Sequence, residues 1–135
     1  MLPAERLILH NGRLLTMDAE LTDFSGGWIE IEGDTITRLG MGTPPPGNQM
    51  DMDGDLVMPG MVNTHCHLPM TLFRGLGEDV DDRLFRYILP LERALVTAET
   101  VTVSATIAAL ELIRGGVTTV ADMYYFEDHI GGVLH

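Results

Sequence analysis

The chain has 135 residues, of which 45% are hydrophobic, and a net charge of −12, a composition that supports one modest folded core rather than disorder. All eight basic residues are arginine, and the acidic balance argues against nucleic acid and anionic membranes as partners. The single cysteine excludes an internal disulfide framework. No apolar run approaches the roughly 20 residues of a membrane span, and the N-terminus lacks the pattern of a signal peptide, so we expect a cytoplasmic protein.

Residues 1–58 have the pattern of short β-strands separated by turns. Period-two alternation and β-branched residues predict strands over 6–10, 13–17, 28–32, 35–39 and part of 48–55. Asn11-Gly12 and Gly33-Asp34 are dipeptides that favour tight turns, so we expect a hairpin at each of them.

Residues 59–135 have a different pattern, in which buried strands alternate with helices. The predicted elements are a strand over 61–64, a helix over 83–94 interrupted near Pro90, a helix from an N-cap at Thr97 to Arg114, and a strand over 117–121. A β–α–β order predicts a parallel sheet with a right-handed crossover.

Two histidines close the first of these buried strands, in the sequence His65-Cys66-His67. Residues i and i+2 of a strand point to the same face, so both imidazoles are aimed at one point in space. Neutral imidazole binds zinc and related first-row metals. Cys66 points to the opposite face, and we interpret it as a small buried filler rather than a nucleophile.

The segment from Val57 to His67, which reads VMPGMVNTHCH, resembles the opening of the amidohydrolase superfamily. Residues 69–76 and 89–92, together with 116–124, are similar to the branch that deaminates S-adenosylhomocysteine, 5'-methylthioadenosine and adenosine, and in part to triazine chlorohydrolases and guanine deaminases. The resemblance implies an α/β fold: a (β/α)₈ TIM barrel beginning at residue 59, preceded over 1–58 by strands of a small composite β-sandwich. Only two barrel strands fall within 59–135, so we expect an incomplete barrel.

The resemblance also implies roles for individual residues. It implies that His65 and His67 are ligands of one divalent metal ion, for which zinc is the first expectation and iron the alternative. Glu92 becomes the carboxylate that binds the ribose hydroxyls of the substrate. The remaining ligands and the residues that transfer protons belong to later parts of the family pattern, so no catalytic acid or base is expected within this segment.

Other polar residues have structural interpretations. Arg74 is expected to form a salt bridge, Asp122 to orient a ligand or cap the next loop, and His129 and His135 to lie on the surface.

The expected activity of the full-length protein is hydrolytic deamination of an adenosine-type nucleoside, a small-molecule substrate, while homo-oligomerisation stays open. Two alternatives remain at this point: another amidohydrolase, such as a triazine-type chlorohydrolase or a guanine or other C–N hydrolase, and an inactive fragment that serves as a binding module.

Overall fold

The computed structural model describes residues 5–135 and divides the chain into two compact units, with the boundary between Pro59 and Gly60. Sheet and helix are both present, so the chain has an α/β structure. The assignment of 1–58 to a composite β-sandwich and of 59–135 to the start of a barrel stays a prediction. Among residues 5–135 no single helix has the length and apolar character of a membrane span, although the bent pair Leu84–Leu95 and Ala98–Arg114 meets both criteria when taken together.

The first unit is a five-stranded sheet centred on its longest strands. The strands are β1 (Arg6–Leu15), β2 (Asp23–Glu32), β3 (Thr35–Met41), β4 (Gln49–Asp51) and β5 (Leu56–Val57). β2 pairs antiparallel with β1 and β3, whereas β4 and β5 pair with β1 in the parallel direction. The predicted hairpin at Gly33-Asp34 is confirmed, with Gly33 at a φ of 63°.

The hairpin predicted at Asn11-Gly12 is wrong, because β1 continues through both residues. His10 lies opposite Trp28 and Gly12 lies opposite Gly27, which leaves Asn11 as the extra residue of a β-bulge with a φ of 59°. An Asn-Gly pair supplies left-handed backbone equally well to a turn and to a bulge. Strand pairing across the sheet, rather than the dipeptide itself, decides between the two.

Glu30 of β2 is the buried charge of the first unit, with only 3% of its side chain exposed. Arg6 of β1 donates Nε to Glu30 Oε1 at 2.9 Å, and Arg38 of β3 forms an ion pair with Oε2. One carboxylate is therefore bonded by both neighbouring strands. These hydrogen bonds lower the pKa of Glu30 to about 2, the bond from Arg6 having the largest effect and outweighing the opposing effect of burial.

The second unit contains two strands and several helical segments. They are β6 (Met61–Cys66), a 3₁₀ helix (Leu68–Phe73), a π-helical turn (Leu84–Ile88), α1 (Leu89–Leu95), α2 (Ala98–Arg114), β7 (Val117–Asp122) and α3 (Glu127–Leu134). β6 and β7 are parallel neighbours, so the predicted β–α–β order is confirmed. Gly60, just before β6, lies so close to β7 that a Cβ there would be 2.0 Å from Thr118 Oγ1.

The helix α2 has the predicted ends. Thr97 is its N-cap, and the side chains of Thr97 and Thr100 form a reciprocal capping box. The helix ends at Gly115-Gly116, where Gly116 has a φ of 81°. Its small buried residues pack with Leu68 and Ile130 into the core of the unit; they are Val101, Ala105 and Ala108.

The prediction that β6 is a buried strand is wrong for this chain. Met61 is 49% exposed and Val62 is 60% exposed. Within the described residues β6 has a single neighbouring strand, β7, and parallel strands are buried only when the sheet is extended and covered on both faces. An apolar sequence therefore predicts that a strand can be buried, but neighbouring elements determine whether it is.

The paired Glu30 carboxylate predicts that Glu30→Gln destabilises the first unit at pH 7. Because the pKa of Glu30 is lowered from 4.5 to about 2, its stabilising contribution is fully present above about pH 4.5 and is lost as the pH falls toward 2. The unfolding midpoints of wild type and variant should converge over that range. Trp28, the only tryptophan, lies on β2 and makes fluorescence the readout.

Glu20→Gln removes the same charge from an exposed residue and is the matched control. A difference between Glu30→Gln and wild type that stays constant from pH 7 to pH 2 would contradict the ion-pair explanation.

Candidate functional site

The site is built at the end of β6, where His65 and His67 lie two residues apart. Their ring centroids are 5.2 Å apart and the ring planes meet at 78°. Two imidazoles bound to one tetrahedral zinc at about 2.0–2.1 Å from nitrogen have centroids roughly 5 Å apart. The observed spacing of the two rings is compatible with a shared ion.

A backbone carbonyl determines the protonation pattern of His67. His67 Nδ1 lies 2.5 Å from the carbonyl oxygen of Met123, which follows β7. A carbonyl oxygen can only accept, so Nδ1 carries the proton and Nε2 keeps its lone pair. This is the arrangement that metal-binding histidines use to orient the ring and to select the tautomer.

Asp122, the last residue of β7, holds the backbone that follows His67. Its Oδ2 accepts a hydrogen bond from the backbone N–H of Leu68 at 2.6 Å. Its other oxygen, Oδ1, is buried and has no hydrogen-bond partner among residues 5–135. Asp122 therefore caps the loop after β6 rather than the loop that follows its own strand, which was the predicted one, and it acts on the backbone rather than on a histidine ring.

Cys66 lies between the two histidines but faces the core, against which it packs. Its thiol is within 3.6 Å of both the Ala121 carbonyl and Asp122 Oδ2. Burial first, and then the negative charge of Asp122, raise the pKa of Cys66 to about 11. The thiol stays protonated at neutral pH, which makes it a poor nucleophile.

Glu92, in the first turn of the short helix α1, is buried although glutamate is normally exposed. The hydroxyl of Tyr124 donates to Glu92 Oε1 at 2.7 Å. Burial, followed by the hydrogen bond and the charge of Glu92, raises the pKa of Tyr124 well above its ordinary value. The hydroxyl is therefore a permanent donor near neutral pH, and it leaves the other acceptor positions of the carboxylate for a ligand.

His67 and Glu92 line the same cleft, whose volume is about 450 Å³. Met70 and Tyr124 also line it, so the cleft combines an imidazole, a carboxylate and apolar surface. Such a mixture is typical of small-molecule sites, where a few polar groups orient a ligand against an apolar wall. The structure thus brings a predicted metal ligand and the predicted substrate-binding residue to one surface.

The remaining polar residues lie elsewhere in the second unit. Arg74 forms a two-pronged ion pair with Glu111, with a shortest distance of 2.7 Å, which confirms its structural role. His129 lies on α3 with 43% of its side chain exposed, and His135 is exposed. In residues 5–135 no group of three or more His, Cys, Asp or Glu side chains is arranged to hold a metal. The prediction that His65 and His67 are metal ligands therefore requires further ligands, because catalytic zinc usually has three from the protein.

Two groups of the site were not identified from the sequence. The Met123 carbonyl is a backbone atom, and no side-chain pattern predicts which backbone oxygen will meet a histidine ring. Tyr124 lies only two residues beyond β7, and its proximity to that strand end was the available signal. Its partner on α1 is 32 residues away in sequence, so the contact depends on how the helix and strand pack.

Comparison with known proteins identifies a family and several relatives. Residues 56–134 match the model of the amidohydrolase family. The chain is 43% identical over 125 residues to a 5'-deoxyadenosine deaminase of Methanosarcina mazei, covering 90% of this chain and 29% of the relative. It is 36% identical over 138 residues to a 5-methylthioadenosine/S-adenosylhomocysteine deaminase of Symbiobacterium thermophilum, covering 96% and 31%. The chain thus spans about three-tenths of the length of these curated relatives.

Solved structures give the same picture of the fold. An adenosine deaminase from Xanthomonas campestris with bound zinc superposes with a TM-score of 0.87 at 28% identity, covering 94% of this chain and 30% of that one. An atrazine chlorohydrolase from Arthrobacter aurescens in complex with zinc gives a TM-score of 0.79 at 20% identity, covering 94% and 32%. The second likeness concerns the fold alone.

The raised pKa of Cys66 predicts slow alkylation of the native protein. At pH 8, iodoacetamide should modify Cys66 at least about tenfold more slowly in the folded chain than in denaturant, because the thiolate is the reactive species. The native rate should keep rising toward pH 11, whereas the denatured rate should level off near pH 9. Cys66→Ala should take up no label, since no other cysteine is present. Equal rates in both states would contradict the assignment.

Proposed function

Because this chain belongs to the amidohydrolase family, we propose that the complete protein is a metal-dependent hydrolytic deaminase of an adenosine-type nucleoside, such as S-adenosylhomocysteine, methylthioadenosine or adenosine. The observation that carries the proposal is the shared cleft of His67 and Glu92, which combines a metal-type ligand with a buried carboxylate. Two relatives that align with 90% and 96% of this chain are named as a 5'-deoxyadenosine deaminase and a 5-methylthioadenosine/S-adenosylhomocysteine deaminase.

The proposed architecture is a (β/α)₈ barrel that carries a small composite β-sandwich. In it, residues 59–135 form the first two barrel strands with their helices, and residues 1–58 contribute strands to the sandwich. The parallel pair β6 and β7 joined by α2 supports the barrel assignment. Active sites of barrel enzymes lie at the C-terminal ends of the strands, and His65, His67 and Asp122 all lie at such ends.

The proposed metal ligands in this segment are His65 and His67. A divalent ion held by these two residues, zinc first and iron as the alternative, would lower the pKa of water toward about 7 and would so supply hydroxide at neutral pH. His67 contributes an Nε2 lone pair whose availability is enforced by the Met123 carbonyl. The zinc in the Xanthomonas campestris relative supports the choice of metal.

The proposed role of Glu92 is to bind the ribose of the nucleoside. A vicinal diol offers two O–H donors, and a carboxylate can accept both. Because Glu92 is only 8% exposed, hydrogen bonds to it are less weakened by competing water than bonds to a surface carboxylate. With the sugar held there, the base is directed along the cleft toward His67.

The overall reaction adds water to the amidine-like ring carbon that bears the exocyclic amine, and that C–N bond then breaks to release ammonia. Proton transfers to the ring and to the leaving amine require an acid and a base, which we assign to residues outside 1–135. Within this segment the chain orients the histidine ligands, binds the sugar and provides the apolar wall at Met70.

Substitution of the proposed ligands should remove both metal and activity. His65→Ala and His67→Ala in the complete protein should each reduce bound metal from about one ion per subunit to a small fraction, because catalytic zinc depends on about three protein ligands. Elemental analysis of the purified protein gives the metal content. Ammonia release from adenosine, methylthioadenosine and S-adenosylhomocysteine gives the activity.

His129→Ala is the matched control, since His129 is an exposed histidine on α3 and should be neutral in both assays. Full metal content in either ligand variant would refute the metal assignment. If the protein released chloride from a chlorinated triazine but no ammonia from any nucleoside, the proposed activity would be that of a different hydrolase and not of a deaminase. A wild-type protein that is well folded but contains no metal and turns over no substrate would favour a binding module.

Substitution of Glu92 should act on the sugar. Glu92→Gln should raise KM for adenosine by about tenfold while changing KM for 2'-deoxyadenosine and 3'-deoxyadenosine much less, because an interaction with a charged group is typically worth about 1.5–3 kcal/mol. Steady-state kinetics on the three nucleosides measures this difference. Glu99→Gln, an exposed glutamate in the first turn of α2, is the control. An unchanged preference for adenosine would contradict the ribose role.

A further inference from the structure

We propose that Tyr124 is a positioning residue for sugar recognition, which acts by holding the Glu92 carboxylate in the orientation that accepts a vicinal diol. This inference rests on the proposed function, and it adds a residue to that site. It follows from the contact between the two side chains and from what surrounds each of them.

The contact is short and its direction is unambiguous. The Tyr124 hydroxyl donates to Glu92 Oε1 at 2.7 Å. A carboxylate can only accept, so the phenol is the donor, and hydrogen bonds between a neutral donor and an ionised acceptor are stronger than neutral pairs. Glu92 has three rotatable side-chain bonds, and one strong bond at Oε1 restricts them before any ligand arrives.

The surroundings of the pair favour a role in binding over a purely structural one. Glu92 and Tyr124 both line the cleft that contains His67. A structural pair would gain most from complete burial with all acceptor positions filled, whereas Tyr124 occupies one position of Oε1 only. The hydrogen bond from Tyr124 fixes the orientation of the carboxylate, and so it also fixes the directions in which the remaining acceptor positions point.

The backbone around Tyr124 links the two halves of the site. Met123, the preceding residue, accepts the hydrogen bond from His67 Nδ1. Asp122, one residue earlier, accepts from the Leu68 N–H that follows His67. Asp122 and Met123 therefore contact Leu68 and His67, on the side of the proposed metal ligand. Tyr124 contacts Glu92, on the side of the proposed sugar-binding residue. This one stretch of chain thus contacts both His67, the proposed metal ligand, and Glu92, the proposed sugar-binding residue.

The expected consequence concerns preference among sugars rather than chemistry at the base. In Tyr124→Phe the ring still fills the cleft, but Glu92 is free to rotate and must be ordered when substrate binds. We expect kcat/KM for adenosine to fall by about tenfold, mainly through KM, because the sugar contacts are the same in the ground and transition states. The values for 2'-deoxyadenosine and 3'-deoxyadenosine should change by less than about threefold.

The test uses the complete, metal-loaded protein and a double-mutant cycle. Tyr124→Phe is compared with wild type, Glu92→Ala and the double variant on the three nucleosides. If Tyr124 acts through Glu92, its substitution should have no further effect on sugar preference in the Glu92→Ala background. Tyr87→Phe removes a phenolic hydroxyl from the π-helical turn and is the control. Metal content and the unfolding midpoint verify that every variant is folded.

The outcomes separate this inference from the proposed function. If the wild type releases ammonia from nucleosides but Tyr124→Phe has an unchanged sugar preference, the positioning role is overturned. The proposed deaminase activity is then unaffected. Equal losses on all three nucleosides, or additive losses in the double variant, also overturn it, because they indicate a general effect on the cleft. A wild type that deaminates no nucleoside overturns both.

Discussion

The end of strand β7 is the constraint on which the candidate site depends. β6 and β7 run parallel, with Cys66 opposite Asp122, so the two strands finish at the same edge of the sheet. Three consecutive residues then make three different hydrogen bonds: the Asp122 carboxylate to the Leu68 backbone, the Met123 carbonyl to His67, and the Tyr124 hydroxyl to Glu92. The parallel register brings the chain at His67 and Leu68 next to Asp122 and Met123.

These hydrogen bonds also assign chemical states to the side chains of the site. The Met123 carbonyl places the proton of His67 on Nδ1, and burial keeps both the Tyr124 phenol and the Cys66 thiol protonated. The site therefore has one imidazole ring held through Nδ1, one donor directed at a carboxylate and one thiol kept protonated. The overall charge of −12 predicts none of this, because each state results from groups within a few ångströms.

The first unit uses a comparable local arrangement for a different purpose. Glu30 accepts from arginines of both neighbouring strands, so the buried charge is paired, and removing one partner would leave a buried charge uncompensated. The second unit has exposed apolar residues on β6, such as Val62. In the proposed barrel these residues would be covered by further strands, as parallel sheets require.

Much of the local structure could be predicted from the sequence because it depends on local chemistry. The ends of α2 follow from the cap at Thr97 and from Gly115-Gly116, and its buried stripe follows from helical spacing. The projection of His65 and His67 to one side follows from the two-residue period of a strand. The family likewise could be recognised from short motifs, and the match over residues 56–134 confirms it.

Tertiary structure decided whatever depends on a partner distant in sequence. Asn11-Gly12 became a bulge because β2 pairs along the whole of β1. An apolar β6 stayed half-exposed because burial requires neighbouring elements. In the folded chain Glu92 is buried, and its carboxylate accepts a hydrogen bond from Tyr124, which is 32 residues away in sequence. Sequence alone thus determined the family and the local geometry of the candidate residues, whereas long-range packing determined their orientation and their hydrogen-bond partners, because both depend on atoms that only the folded chain brings together.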